Sequence, residues 1–135
     1  MGARHLLIVA HGSRRAASND EVRELAERVR ALRSPGIDHV EAAFLELAEP
    51  SIPDGMERCV ALGAREIIVF PYFLAAGTHV AVDIPDAVEA FSERNPHVQV
   101  RLARHLGAVA GMPRTILDAA GEGALDEMLE EGSRG

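Results

Sequence analysis

The sequence predicts an α/β fold, a three-layer sandwich built on a four-stranded parallel sheet. Four short apolar runs alternate with segments whose apolar residues recur at helical spacing, which is the pattern of repeated βα units. Strands that are joined by helical crossovers run parallel, and the crossovers are right-handed. A chain of 135 residues fits one domain, which we expect to span 1–135 with a core from about 5 to 130.

The first half of the chain contains two predicted βα units. Residues 6–10 form a continuous apolar run, as expected of a strand that is buried on both faces. The helix that follows is predicted to open at Ser18 and Glu21, which match a capping box. Residues 40–45 are the second predicted strand, and Ser51 is expected to cap the second helix.

The second half contains two further units. Residues 66–70 are the third predicted strand, and a loop with Gly77 leads into a helix that ends at residues 95–96. Residues 98–102 are the fourth strand, and the last helix is predicted over about 112–129.

Polar residues follow the predicted strands at one edge of the sheet. In open parallel sheets, ligands bind in the crevice outside the carboxyl ends of the strands. His11, Glu46 and His79 follow the first, second and third strands, so three consecutive loops bring two imidazoles and a carboxylate to this edge. Such a set suits a divalent first-row metal ion, and Glu49 is the alternative carboxylate.

Each of these residues also has a purely structural interpretation. His11 could hydrogen-bond the N-terminus of a helix, and His79 could be a solvated loop residue beside Thr78, which is itself a good helix cap. Glu46 could simply favour the positive end of the second helix. The combination of three polar residues at one edge favours a site.

Composition disfavours several classes of function. A net charge of −7, 4% aromatic residues and no tryptophan argue against a nucleic-acid partner. No apolar run approaches the roughly 20 residues of a membrane span, and residues 1–5 do not resemble a signal peptide. The single cysteine, Cys59, is expected in the core and fits a reducing cytoplasm.

Three stretches of the chain carry a resemblance to a known family. Residues 6–14, 43–52 and 69–80, the last continuing to 83–85, resemble the CbiX/SirB family of small class II chelatases. These enzymes act on sirohydrochlorin or its close relatives in sirohaem and cobalamin synthesis. The resemblance covers about residues 5–107 and implies a flavodoxin-like half-lobe that inserts a divalent metal ion into a tetrapyrrole.

The resemblance also implies the roles of individual residues. The family's metal-binding histidines fall on His11 and His79, and its active-site glutamate falls on Glu46, with Glu49 as the fallback. For the tetrapyrrole we expect contacts from loop N–H groups, a guanidinium and an apolar loop. The residues expected to make them are Gly12, Ser13, Arg14, Tyr72 and Thr78.

Cofactor and partner expectations follow from the same resemblance. The metal, Fe²⁺, Co²⁺ or Ni²⁺, is expected as a substrate, with no organic cofactor. Short members of the family pair as homodimers, and we expect a homodimer here. The chain departs from the family at residues 108–110, which read Ala-Val-Ala where other members often have a histidine and prolines.

Two other functions remain compatible with the sequence. His11 could be the nucleophile of a phosphoryl-transfer enzyme, supported by Arg14 and Arg15. Only Arg101 or Arg104 could then supply a further phosphate clamp from another strand. Alternatively, the same residues could form a non-catalytic carrier of metal or tetrapyrrole, which a turnover assay would distinguish from an enzyme.

Overall fold

The computed structural model describes residues 3–121 and confirms the four-stranded parallel sheet. The strands are β1 (Arg4–Ala10), β2 (His39–Phe44), β3 (Glu66–Pro71) and β4 (Gln99–Leu102). Their order across the sheet is β2-β1-β3-β4, and all neighbouring pairs are parallel. The central strand is therefore β1, which is hydrogen-bonded to both β2 and β3.

Helices connect the strands as expected, with one difference of detail. They are α1 (Ala16–Ala31), α2 (Ile52–Ala61) and α3 (Ile84–Arg94), and a last helical segment runs from 112 to 121. A π-helical turn, His79–Asp83, precedes α3 without having been predicted. The remainder of the predicted last helix, 122–129, lies outside the described residues.

The two predicted helix caps have different outcomes. The Ser51 hydroxyl accepts a hydrogen bond from the Asp54 N–H group at 3.2 Å, so this cap is confirmed. The capping box at Ser18 and Glu21 is wrong, because α1 begins at Ala16 and both residues lie inside it. The loop before α1 is held instead by Asn19, whose amide hydrogen-bonds the backbone of Ser13.

Apolar side chains of β1 are buried on both faces of the sheet. Leu7 and Val9 pack in the cluster beneath α2 and α3, whereas Ile8 and Ala10 pack beneath α1. Cys59 lies in the first cluster, where burial raises the pKa of its thiol to about 12. Cys59 is thus a core residue, as expected. Within residues 3–121, no helix is both long and apolar enough to cross a bilayer.

Candidate functional site

The register between β1 and β2 places Glu46 beside His11. Beyond the ends of β1 and β2, two more ladder-like hydrogen bonds form, from the Leu45 N–H to the Ala10 carbonyl at 3.0 Å and from the Glu46 N–H to the His11 carbonyl at 3.1 Å. The Glu46 carboxylate then reaches the His11 ring, with Oε1 2.8 Å from Nε2. Glu46, rather than Glu49, is therefore the carboxylate that contacts a predicted site histidine.

Gly12 makes this approach possible. Its φ is +93°, and a Cβ built on it would lie 1.7 Å from the carbonyl oxygen of Glu46. No side chain fits at that distance, and a positive φ is costly for any residue with a Cβ. Gly12 was expected to contact substrate, and the structure additionally gives it this role in the backbone packing.

His79 is the first residue of the π-helical turn after β3 and faces His11. The two ring centroids are 4.7 Å apart, with an interplanar angle of 67°. Nδ1 of His79 lies 2.6 Å from Oδ2 of Asp83. Thr78 precedes the turn, and its exposed side chain makes no capping hydrogen bond. The predicted pair of imidazoles thus lies together at the carboxyl edge of the sheet.

Each imidazole has its own carboxylate partner. An ionised carboxylate can only accept hydrogen bonds, so the ring nitrogen that faces it must carry the proton. That leaves Nδ1 of His11 and Nε2 of His79 with lone pairs in the neutral rings. The His11 and His79 side chains are 48% and 43% exposed, so an incoming ligand can reach them. Residues 3–121 contain no group of three or more His, Cys, Asp and Glu side chains arranged to hold a metal.

A buried asparagine fixes the loop after His11. Oδ1 of Asn19 accepts from the Ser13 N–H group at 2.9 Å, and Nδ2 donates to the Ser13 carbonyl at 2.8 Å. The Ser13 hydroxyl accepts from the Arg15 N–H group at 3.0 Å. Loop N–H groups are expected to contact the tetrapyrrole, but the N–H group of Ser13 is engaged by Asn19. The hydroxyl proton of Ser13 and the exposed side chain of Arg14 remain available to contact substrate.

Asn19 is not among the residues predicted from the sequence, although the sequence contains a signal for it. Asparagine is unfavourable inside helices because its amide competes for backbone groups. An asparagine in the first turns of α1, directly after a loop with site residues, therefore indicates a side chain with a specific partner. Its burial to 6% exposure confirms that the side chain is part of the packed structure.

An apolar groove of about 360 Å³ lies on the α1 side of the sheet. Tyr72, which follows β3, is 38% exposed and Leu74 is 71% exposed. The residues that line the groove are Leu6, Ile8, Leu25, Val29, Phe70, Tyr72 and Leu106. Tyr72 thus presents an apolar ring in the loop that leads to His79.

Two other polar candidates, Glu49 and Arg101, belong to contacts outside the pair of histidines. Glu49 lies in a loop whose backbone is anchored by Arg23, since the Arg23 guanidinium donates to the Glu49 carbonyl at 2.8 Å. The Arg101 guanidinium lies 3.8 Å from the carboxylate of Glu66, the first residue of β3. Arg101 also pairs with Ile68, in the middle of β3, and not with a residue at the carboxyl edge. As a phosphate clamp beside His11, Arg101 therefore has little support, and Arg104 is the other arginine that the phosphoryl-transfer alternative could use.

The chain is similar to known proteins in sequence and in structure. Residues 5–122 match the family model CbiX. A chloroplastic sirohydrochlorin ferrochelatase of Arabidopsis thaliana is 43% identical over 91 residues, which are 64% of this chain and 40% of that protein. This chain spans less than two thirds of the length of such curated relatives.

Two solved structures share the fold. A CbiX protein from Marinobacter aquaeolei has a TM-score of 0.71 and 32% identity, with 95% of this chain and 98% of that chain covered. The sirohydrochlorin chelatase SirB of Bacillus subtilis subspecies spizizenii, in complex with cobalt, has a TM-score of 0.77 and 30% identity, with 92% and 50% covered. The fold, the paired histidines and the match over residues 5–122 together show that this chain belongs to the CbiX family.

Proposed function

We propose that this chain is a metal chelatase that inserts Fe²⁺ or Co²⁺ into sirohydrochlorin, with Ni²⁺ as a further candidate metal. The observation that carries the proposal is the pair of half-exposed imidazoles, His11 and His79, whose centroids lie 4.7 Å apart. Iron and cobalt are the metals of its relatives, a ferrochelatase and a chelatase solved with cobalt.

Two imidazoles suit the transfer of a metal ion. Insertion requires a metal that is held yet able to leave, and a base for the two pyrrole N–H protons. Neutral imidazole ligates through one nitrogen and exchanges protons near neutral pH. A site with so few protein ligands leaves coordination positions open for the incoming pyrrole nitrogens.

Glu46 has a proton-relay role in this proposal. Its carboxylate is engaged with Nε2 of His11 at 2.8 Å, which orients that ring. Completing the metal shell is the other role proposed for Glu46, and it would require a rotation away from His11. The contact present in the structure favours the relay.

The tetrapyrrole itself would be held by residues around the histidines. Sirohydrochlorin is a large ring with acidic side chains, and the exposed Arg14 guanidinium can pair with a carboxylate. Tyr72 supplies an apolar ring surface for the macrocycle, and Thr78 a hydroxyl beside His79. Gly12 and Ser13 shape the loop on the other side of His11.

Incubation of the full chain with sirohydrochlorin and each metal in turn tests the proposal. We expect insertion of Fe²⁺ or Co²⁺, followed by the change in the absorbance spectrum, to proceed over many turnovers and faster than without protein. Rates equal to the protein-free rates for all three metals would overturn it. Stoichiometric binding of metal and ring without turnover would establish the carrier alternative instead.

We also propose that the chain works as a homodimer. One copy covers 50% of the SirB chain, so two copies supply the same amount of structure. Apolar side chains stay exposed at the end of β4 and in the segments that follow β3 and β4. They are Tyr72, Leu74, Leu102, Val109, Ile116 and Leu117. A second copy seated there would remove them from water.

Light scattering on the purified chain should give twice the 14.5 kDa mass of one copy. The variant Leu74→Asp should lower the measured mass to that of one copy, because a charge in the core of an interface is costly to desolvate. Leu62→Asp is the matched control, since Leu62 is also exposed, at 57%, but follows α2 at the other end of the sheet. A wild-type chain that stays monomeric at assay concentration would contradict the dimer.

The proposal includes a cytoplasmic location with neither a nucleic-acid nor a membrane partner. A net charge of −7 supports the absence of a nucleic-acid partner, because proteins that bind nucleic acids usually carry a basic surplus. Cys59, a free thiol in the core, supports a reducing compartment.

A further inference from the structure

We propose that Asp83 is a positioning residue that fixes the tautomer of His79 and so selects Nε2 as its metal-binding nitrogen. The consequence for metal binding rests on the proposed function. The tautomer of His79 does not, because it is a property of the protein without metal. No role for Asp83 follows from the sequence-based analysis.

The contact between the two side chains is short and local. Oδ2 of Asp83 lies 2.6 Å from Nδ1 of His79, four residues earlier in the same π-helical turn. Because the carboxylate accepts, the proton of the neutral ring resides on Nδ1. The lone pair is then on Nε2, the nitrogen at the far end of the ring from Asp83.

The backbone at Asp83 is helical, with φ −64° and ψ −45°, and the π-helical turn runs into α3 without a break. A helix N-cap residue has a non-helical backbone, so Asp83 is not in a position to cap α3. Its carboxylate contacts the imidazole of His79.

Backbone chemistry explains the wide turn that pairs these residues. Pro85 lies in the first turn of α3 and has no N–H group, so it cannot donate to the carbonyl of Ala81 as an uninterrupted α-helix would require. The chain forms the π-helical turn His79–Asp83 at this point. Such turns occur frequently at functional sites, where they redirect a side chain.

The two histidines consequently present different nitrogens. Glu46 engages Nε2 of His11, whereas Asp83 engages Nδ1 of His79. A shared metal ion would therefore be bound through Nδ1 of His11 and Nε2 of His79. Carboxylate partners of metal-binding histidines fix ring orientation in this way, and their loss typically lowers metal affinity by about tenfold to a hundredfold.

Nitrogen-15 NMR of the histidine rings tests the proposal on the metal-free full chain, at a pH above the imidazole pKa. Wild-type His79 should be protonated on Nδ1. Asp83→Ala should move the proton to Nε2, which unrestrained imidazoles prefer, and should weaken Co²⁺ binding by about tenfold to a hundredfold.

Asp86→Ala is the matched control. Asp86 is an exposed acidic residue in the first turn of α3. Its replacement removes a negative charge from the same end of the helix and leaves the contact between Asp83 and His79 in place. It should leave the His79 tautomer and Co²⁺ affinity unchanged. An Nε2-protonated His79 in the wild type, or an unchanged tautomer in Asp83→Ala, would overturn the inference. A wild type with the expected tautomer but no chelatase activity would overturn only the proposed function.

Discussion

Replacing His79 with alanine is expected to abolish metal insertion into sirohydrochlorin. The substitution removes one of two imidazoles that face each other at 4.7 Å, and with it a metal ligand and a proton acceptor. Loss of a general base alone typically costs at least about a hundredfold in rate. Initial rates of Co²⁺ and Fe²⁺ insertion, followed by absorbance, measure the effect.

The fold should survive this substitution, because the His79 side chain is 43% exposed and outside the core. Circular dichroism should therefore match the wild type. His97→Ala is the matched control, since His97 is an exposed histidine before β4, at the opposite edge of the sheet. Near-normal insertion by the His79 variant would refute the assignment of the metal site.

Gly12→Ala is expected to have the second largest effect. The new Cβ would meet the Glu46 carbonyl at 1.7 Å, so the loops that hold His11 and Glu46 must separate. A displacement of about 1 Å at a catalytic group can cost roughly a hundredfold in rate. We expect a loss of that order, together with about 2–4 kcal/mol of folding free energy from the clash and the positive φ.

Gly63→Ala separates the two causes of this loss. Gly63 has a similar φ of +97°, but nothing lies within 4 Å of a Cβ built there. It should lose about 1 kcal/mol of stability through backbone strain and keep normal insertion rates. Urea denaturation and the insertion assay measure both quantities. A Gly12 variant that behaves like the Gly63 variant would show that the close approach to Glu46 does not matter.

The contrast between α1 and α2 shows why sequence patterns predicted one helix start and missed the other. Ser51 has the side chain that caps α2, so the local sequence suffices there. Helix α1 begins at Ala16 without a side-chain cap, and the loop before it is held by Asn19, whose amide hydrogen-bonds the backbone of Ser13, six residues away. A capping pattern records only short-range hydrogen bonds, and here the tertiary arrangement of the loop overrides it.

By itself, the sequence determined the elements and the edge at which the polar residues collect. Apolar runs set the strands, helical periodicity set the crossovers, and parallel strands place every following loop at one rim. Strand order was not contained in those patterns. Only the tertiary structure put β1 between β2 and β3, and so placed His11 between Glu46 and His79. The physical reason is that periodicity reports which face of an element is buried, whereas neighbour choice depends on packing between elements distant in sequence.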